Sequence, residues 1–356
     1  MTNNRTSKIG IDIFSGAGGL SLGAEWAGIT VRYAIELDEN SAKTYSKNHP
    51  NTKIVREDIS NVDTAAFLHE NIFILFGGPP CQGFSVSNRK TRNIENENNG
   101  LFKEFLRFVS DLNPEWFLFE NVEGLVNFDK GKTLRYILNQ FQKIGYKTSE
   151  AILYASDYGV PQHRNRFFIV GNRNNIDFSF PCPSNTTITV GEAIKDLPIL
   201  ENGSHSDVLP YRDIVELSEY AKLMRKRSNN STQNYVSKNA NYIIERYKYI
   251  KQGQNWRSIP ESLMSNYKDK NNCHSGIYKR LEENKPSVVI SNYRKNMLIH
   301  PWQDRGLSVR EAARLQSFPD DFTFEGTIHY IQQQIGNAVP PLLAEAIFKK
   351  ILSYGK

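Results

Sequence analysis

Apolar positions in the first half of the chain fall into short runs separated by helical spacings. Lys8–Phe14, Val31–Ile35, Lys53–Val55, Ile72–Phe76 and Trp116–Phe119 are β-rich runs of strand length. A Gly-rich turn and a helix through Ala27 follow the first run. Leu101–Leu112 carries an amphipathic helical pattern, and Gly131–Ile144 reads as another helix, closed by Gly145. Tyr146–Tyr154 and Arg166–Val170 complete the set. Strands alternating with helices predict an α/β fold with a doubly wound sheet. After Pro181 and Pro183 the rhythm stops. Residues 186–307 are rich in Asn, Ser, Lys and Tyr and lack a clear period, and order returns in helices over Leu307–Ser317 and Pro341–Tyr354. The expected organisation is a sheet domain at 1–185, a smaller second domain at 186–307, a hinge with a supporting helix at 308–335, and a return to the first domain at 336–356.

Composition changes this picture in three ways. No apolar run approaches the ~20 residues that span a bilayer, and the start is short and polar, so a soluble, intracellular protein without membrane association is expected. The three cysteines, Cys81, Cys182 and Cys273, are odd in number and lack C-x-x-C spacing, which argues against a disulfide framework or a metal site. The net charge of +6 is concentrated: Glu201–His300 holds 17 Lys and Arg against 10 Asp and Glu, leaving the rest close to neutral. A polyanionic partner fits that block, as does a solvated basic face.

Candidate chemistry gathers at the ends of the runs. Glycines 16, 18 and 19 directly follow the first strand, where the backbone can approach a ligand at a helix N-terminus. A dinucleotide fingerprint would need a glycine at 21, occupied by Ser21, so the reading shifts to an adenosyl cofactor without a pyrophosphate. Glu36 ends the second strand, placed for ribose hydroxyls. Asp58 follows the third, placed for the adenine amino group, with Ile59 against the ring. The fourth strand runs into Gly77-Gly-Pro-Pro-Cys-Gln-Gly, which fixes Cys81 at the sheet edge where α/β ligand crevices lie. Glu120 ends the fifth strand. A thiol beside a carboxylic acid suits addition to an electron-poor ring, the acid protonating a ring nitrogen. Gln162, Arg164 and Arg166 share one face of an extended segment and could hold phosphate or a base carbonyl. Each feature alone has a structural alternative: a tight turn, a buried cysteine, surface ion pairs.

Together, the Phe14-Ser-Gly-Ala-Gly-Gly turn, Gly78-Pro-Pro-Cys-Gln, Glu120-Asn-Val, Gln162-x-Arg-x-Arg, Arg310-Glu-Ala-Ala-Arg-Leu-Gln-Ser-Phe-Pro319 and Gln334-Ile-Gly-Asn-Ala-Val-Pro-Pro341 closely resemble the bacterial cytosine-5 DNA methyltransferases of restriction-modification type. The motifs stand in the family's usual linear order and span nearly everything but the middle block. The resemblance implies a Rossmann-like domain using S-adenosylmethionine, released as S-adenosylhomocysteine, and a smaller DNA target-recognition domain. Cys81 would attack carbon 6 of a flipped-out cytosine, with Glu120 at ring nitrogen 3 and the amino group, and Arg164 and Arg166 supporting base and thiol. Phe14, Ala17, Gly19, Leu20, Glu36, Leu37, Asp58, Ile59, Gly78, Pro80, Leu101, Asn337 and Ala338 would line the cofactor site; Leu37 stands where some relatives carry an aromatic residue. The helix at Arg310–Ser317 would organise the recognition domain. The loop from Gln82 to about Asn99 would close over double-stranded DNA, and Ser85, Ser87, Arg89, Gln162, Arg257 and Arg280 are candidate DNA contacts. A monomer in the bacterial cytoplasm, associated with the nucleoid and of bacterial or phage origin, is expected, with a separate restriction endonuclease as companion.

Two rivals are weighed against this reading. A tRNA cytosine methyltransferase would tend to a shorter middle block and a Cys-Phe-Thr tripeptide, which this chain lacks. A catalytically dead DNA-binding relic should have lost Cys81, Glu120 or the cofactor glycines, and all are present.

Overall fold

The computed structural model describes residues 8–80, 100–184, 186–264, 276–291, 293 and 297–355. Internal packing divides the chain into two compact units, one of 1–158, 165–183 and 339–356, the other of 159–164 and 184–338. The short excursion at 159–164 belongs with the second unit, a detail with no counterpart in the sequence pattern.

The first unit is built on a seven-stranded sheet of order β3-β2-β1-β4-β5-β7-β6. Its strands are β1 (Ile9–Ile13), β2 (Thr30–Ile35), β3 (Lys53–Val55), β4 (Ile72–Gly77), β5 (Trp116–Asn121), β6 (Lys147–Tyr154) and β7 (Asn165–Asn172). β3 through β5 are parallel in that order, while β7 runs antiparallel to β5 and β6. The predicted α/β, doubly wound class is borne out. Winding reverses between β1 and β4, so the crevice beyond their C-terminal ends is the natural ligand position.

The strands form because both faces of the sheet are covered. β1 and β4 are buried along their whole length, as continuous apolar runs require. Helix α3 (Gly100–Leu112) buries Phe102, Phe105, Phe108, Val109 and Leu112 on one stripe. Phe105 meets Phe119 edge-on at 5.1 Å, and Phe141 of α5 (Lys132–Lys143) lies 4.2 Å from Phe117. A single turn, α4 (Gly124–Asn127), precedes α5. Helix α1 (Gly19–Ala27) meets α11 (Pro341–Tyr354) so closely that a Cβ on Gly23 would overlap Ala344. The sequence pattern did not signal α2 (Glu39–Asn48). Its interior side is Ala42, Thr44 and Tyr45, too little apolar surface for a period, and Asp38 starts it by accepting from Ser41 N at 2.8 Å.

The second unit holds short helices: α6 (Val190–Ile194), α7 (Glu219–Arg225), α8 (Asn241–Tyr247), α9 (Val309–Leu315) and α10 (Ile328–Asn337). Its interior mixes apolar clusters with buried arginines. Every residue of α9 is buried. Arg310 donates to the carbonyls of Thr232, Pro319 and Phe322 at 3.1, 2.9 and 2.8 Å. Arg314 lies between Asp196 and Asp320, 2.7 and 2.6 Å away. Arg305 forks onto Glu311 at 2.8 and 2.6 Å. Irregular backbone has no ladder to occupy its carbonyls, so guanidinium groups take that role.

This interior corrects two expectations. Arg280 is buried; it donates to the carbonyls of Ile250, Tyr247, His300 and Gln303 at 2.5–3.0 Å and pairs with Asp304. Gln162 is fully buried, with its amide nitrogen on Leu315 O and Gln316 Oε1, both at 3.1 Å, and its oxygen accepting from Ile290 N at 2.9 Å. Neither side chain has donors left to present to DNA; both hold irregular segments of the second unit together.

Candidate active site

The crevice at the winding reversal begins with the turn after β1. Phe14 sits at φ 62°, a left-handed conformation costly for a bulky residue and one that clusters at functional sites. Gly18, the N-cap of α1, has φ 95°, and a Cβ there would overlap the His49 ring. Glycine is required at 18 for both reasons. Ser15 N donates to Ile35 O at 3.1 Å, tying the turn to the end of β2. Ala17, Gly19 and Leu20 are buried at the base of the turn.

Glu36 is held by two backbone donors, Gly16 N to one oxygen at 2.7 Å and Asp38 N to the other at 2.8 Å. Burial pushes its carboxyl up, with those amides acting in opposition. Each carboxylate oxygen accepts two hydrogen bonds, so one lone pair per oxygen is left for a pair of hydroxyls. Leu37, 64% exposed, presents apolar surface beside it. Asp58 uses one oxygen, Oδ1, to accept Ser60 N and Oγ at 2.9 and 2.7 Å, contacts that lower its pKa. The Ile59 side chain is buried in the core cluster, so what it offers a ligand is backbone. Gly78 and Leu101 are half-buried and Pro80 is exposed. A carboxylate prepared for two hydroxyls, an apolar cover and a second carboxylate at successive strand ends fit an adenosyl group.

Sequence reasoning passed over what supports the turn. Asp12, wholly buried in β1, accepts from Ser21 Oγ at 2.6 Å, and Tyr45 OH donates to that same hydroxyl at 2.7 Å. Burial raises Asp12 well above the carboxylate range. A lone acid inside the apolar run Ile9–Phe14 was the available signal.

Glu120 closes the other side. Gly77 pairs with Phe119, which sets Glu120 beside Gly78; a Cβ at 78 would overlap Glu120 Oε2. Glycine at 78 therefore lets the carboxylate lie against the loop backbone. Asn121 Nδ2 donates to Pro79 O at 3.2 Å and Val122 N to Asn121 Oδ1 at 2.8 Å, fixing the same loop two residues before position 81. Arg166, from β7, places Nε 2.8 Å from Glu120 Oε1, and both side chains are largely buried. Burial lowers the Arg166 pKa, opposed by the charge of Glu120. Cys81, Ser85, Ser87, Arg89 and the expected closing loop lie outside the described residues.

Arg164, Asn337 and Ala338 belong to the second unit. Arg164 is buried and donates to Ile290 O at 3.1 Å and Gly336 O at 2.7 Å, holding the residue before Asn337. Asn337 is exposed, and Ala338 caps α10. Arg257 is exposed. Among the described residues no group of three His, Cys, Asp or Glu could hold a metal ion, and no helix is long and apolar enough to cross a membrane.

The family model for C-5 cytosine-specific DNA methylase matches residues 9–353. The chain belongs to that family. Among its relatives are the Type II methyltransferase M1.HphI of Haemophilus parahaemolyticus, 38% identical over 96% of this chain and 86% of the relative, and M.DdeI of Desulfomicrobium norvegicum, 35% identical over 97% and 88%. A solved structure of a candidate DNA modification methyltransferase from an E. coli prophage superposes with TM-score 0.80 at 28% identity, covering 98% of this chain and 99% of that one. The family member is thus an enzyme of cytosine-5 methylation, with DNA as its substrate.

Proposed function

We propose that this enzyme methylates carbon 5 of a cytosine flipped out of a specific short duplex sequence, with Cys81 as nucleophile and Glu120 as the acid. The observation that carries the reading is the Glu120 carboxylate, held by Arg166 against Gly78 at the start of the Cys81 loop. The Cys81 thiolate adds to carbon 6 of the cytosine ring. Glu120 supplies a proton to ring nitrogen 3, so the electron pair is localised at carbon 5. After carbon 5 is alkylated, its proton is lost to solvent, the pair returns to the carbon 5–carbon 6 bond, the thiolate leaves and the nitrogen 3 proton returns to Glu120. Arg166 keeps Glu120 in place, and Arg164 holds the Gly336 carbonyl beside Asn337.

S-adenosylmethionine, when bound, supplies the methyl group as an electrophile. Glu36 would take its ribose hydroxyls and Asp58 its adenine amino group, with Phe14, Leu37 and the Ile59 backbone around the adenosine. Ala17, Gly19, Leu20, Gly78, Pro80, Leu101, Asn337 and Ala338 would complete the site. Ser85, Ser87 and Arg89 would contact the DNA. The likeness to Type II methyltransferases supports a protective role of restriction-modification type; the enzyme would act beside a separate restriction endonuclease, as a monomer in a bacterial cytoplasm.

Incubation with duplex DNA and radiolabelled S-adenosylmethionine, followed by bisulfite sequencing, tests this reading. Methylated cytosines in one short motif, absent with Cys81→Ala, are expected. Transfer to tRNA and to no duplex would overturn it.

A further inference from the structure

The second unit contains many arginines, and nearly all of those described are occupied. Arg164, Arg246, Arg280, Arg305, Arg310 and Arg314 are buried among carbonyls and carboxylates. Nearer the surface, Arg212 donates to Lys195 O, Arg225 pairs with Asp196 over the Tyr211 ring, and Arg227 pairs with Asp321. Among the described residues, Arg257 is the arginine of this unit whose guanidinium makes neither a hydrogen bond nor an ion pair.

Its setting is nonetheless fixed. Arg257 lies in a 3-10 turn, Trp256–Ser258, capped by Asn255, whose side-chain oxygen accepts from Arg257 N at 3.1 Å. The guanidinium carbon stands 5.6 Å from the centroid of the Trp256 ring. That ring packs on the cluster of Ile243, Tyr247, Ile259, Met264 and Tyr278, and Trp256 N donates to Ile277 O at 3.4 Å. The anchored ring gives the exposed guanidinium a cation–π contact on one side while its donors stay open to a partner.

Resting on the methyltransferase reading, we infer that Arg257 is a specificity-determining residue that reads a guanine of the target sequence through a two-pronged contact to its O6 and N7. A phosphate contact needs charge alone, which the lysines of this unit supply. A guanine edge is matched best by a planar fork of two parallel donors, which the arginine guanidinium supplies and the lysine ammonium, a point charge, does not.

The test compares the wild-type enzyme with Arg257→Lys and Arg257→Ala, by bisulfite sequencing of a mixed-sequence duplex library after methylation. A melting curve checks that each variant is folded. The wild type should methylate one short motif containing a guanine. In the variants, preference for guanine at one position should fall about ten- to a hundredfold while the other positions stay selective, as expected for loss of one such pair. The lysine variant should broaden nearly as much as the alanine variant. An unchanged motif in both would overturn the inference, as would a uniform loss at every site with a shallower salt dependence, the mark of a phosphate contact. No methylation by the wild type would instead count against the methyltransferase reading itself.

Discussion

The two units of this chain solve the same problem with different chemistry. In the first, backbone polar groups are consumed by a mixed, mostly parallel sheet, so the interior is left to side chains such as Phe105, Phe117, Phe119 and Phe141. In the second, short helices and long connections leave carbonyls exposed to the interior. Arg280, Arg305, Arg310 and Arg314 are drawn inside to satisfy them. The basic excess of 201–300 stays mostly at the surface; among its described Lys and Arg only Arg246 and Arg280 are buried as internal scaffolding. The contrast also separates what each unit exposes: Glu36 and Glu120 stand at strand ends of the first, while among the described residues Arg257 is the unengaged arginine of the second.

The sharpest way to break this comparison is to remove one member from each interior. Arg314→Ala would remove the ion-pair partner of buried Asp320 and leave Asp196 only its longer contact to Arg225, and should cost about 3–5 kcal/mol. Phe117→Ala should cost a similar amount, about 3–5 kcal/mol, through a cavity. Denaturant unfolding of both variants checks this. An Arg314→Ala protein as stable as wild type would mean the arginines are passengers.

Acid should separate the units next. Burial, aided by nearby arginines, holds His300 down to about 3, and Glu311, despite burial, is held to about 2 by Arg305 and His300. Both folded pKa values lie below their unfolded values, so the unfolded chain binds more protons. Stability is full above about pH 6.5, the usual imidazole value, and should decline by a few kcal/mol as pH falls towards 3. Melting temperature followed across that window, with Glu311→Gln as comparison, reads the effect.

Smaller effects sharpen the picture of the sheet edge. Gly78→Ala would push Glu120 aside, and kcat should fall at least tenfold with little change in melting temperature. Beneath the glycine turn, burial raises the pKa of Asp12, and its Oδ2 accepts from Ser21 Oγ, a bond an amide oxygen can also accept. Asp12→Asn should then be nearly neutral in KM for S-adenosylmethionine, whereas Asp12→Ala should raise it by breaking the chain to Ser21 and Tyr45.

How much of this was written in the sequence follows the same division. The seven strands were legible because each is a short apolar run ended by a turn. Glu36 and Glu120 were legible because a polar residue at the end of such a run is conspicuous. Helix α2 was hidden by its polar composition, and the support from Asp12 by its position inside a strand. In the second unit, composition could not distinguish Arg280, buried among carbonyls, from Arg257, stacked on a surface turn. Both are arginines in a polar stretch, and only the distant residues around them differ.

The central claim, covalent attack by Cys81 on the target cytosine, has a direct test in a duplex carrying 5-fluorocytosine at the methylated position. Fluorine cannot leave as a cation in place of the proton, so the thiol adduct should persist. The account predicts a denaturation-resistant protein–DNA species in the presence of S-adenosylmethionine, mapping to the peptide that holds Cys81 and absent with Cys81→Ala. Methylation of the ordinary duplex with no such species on the fluorinated one would contradict it.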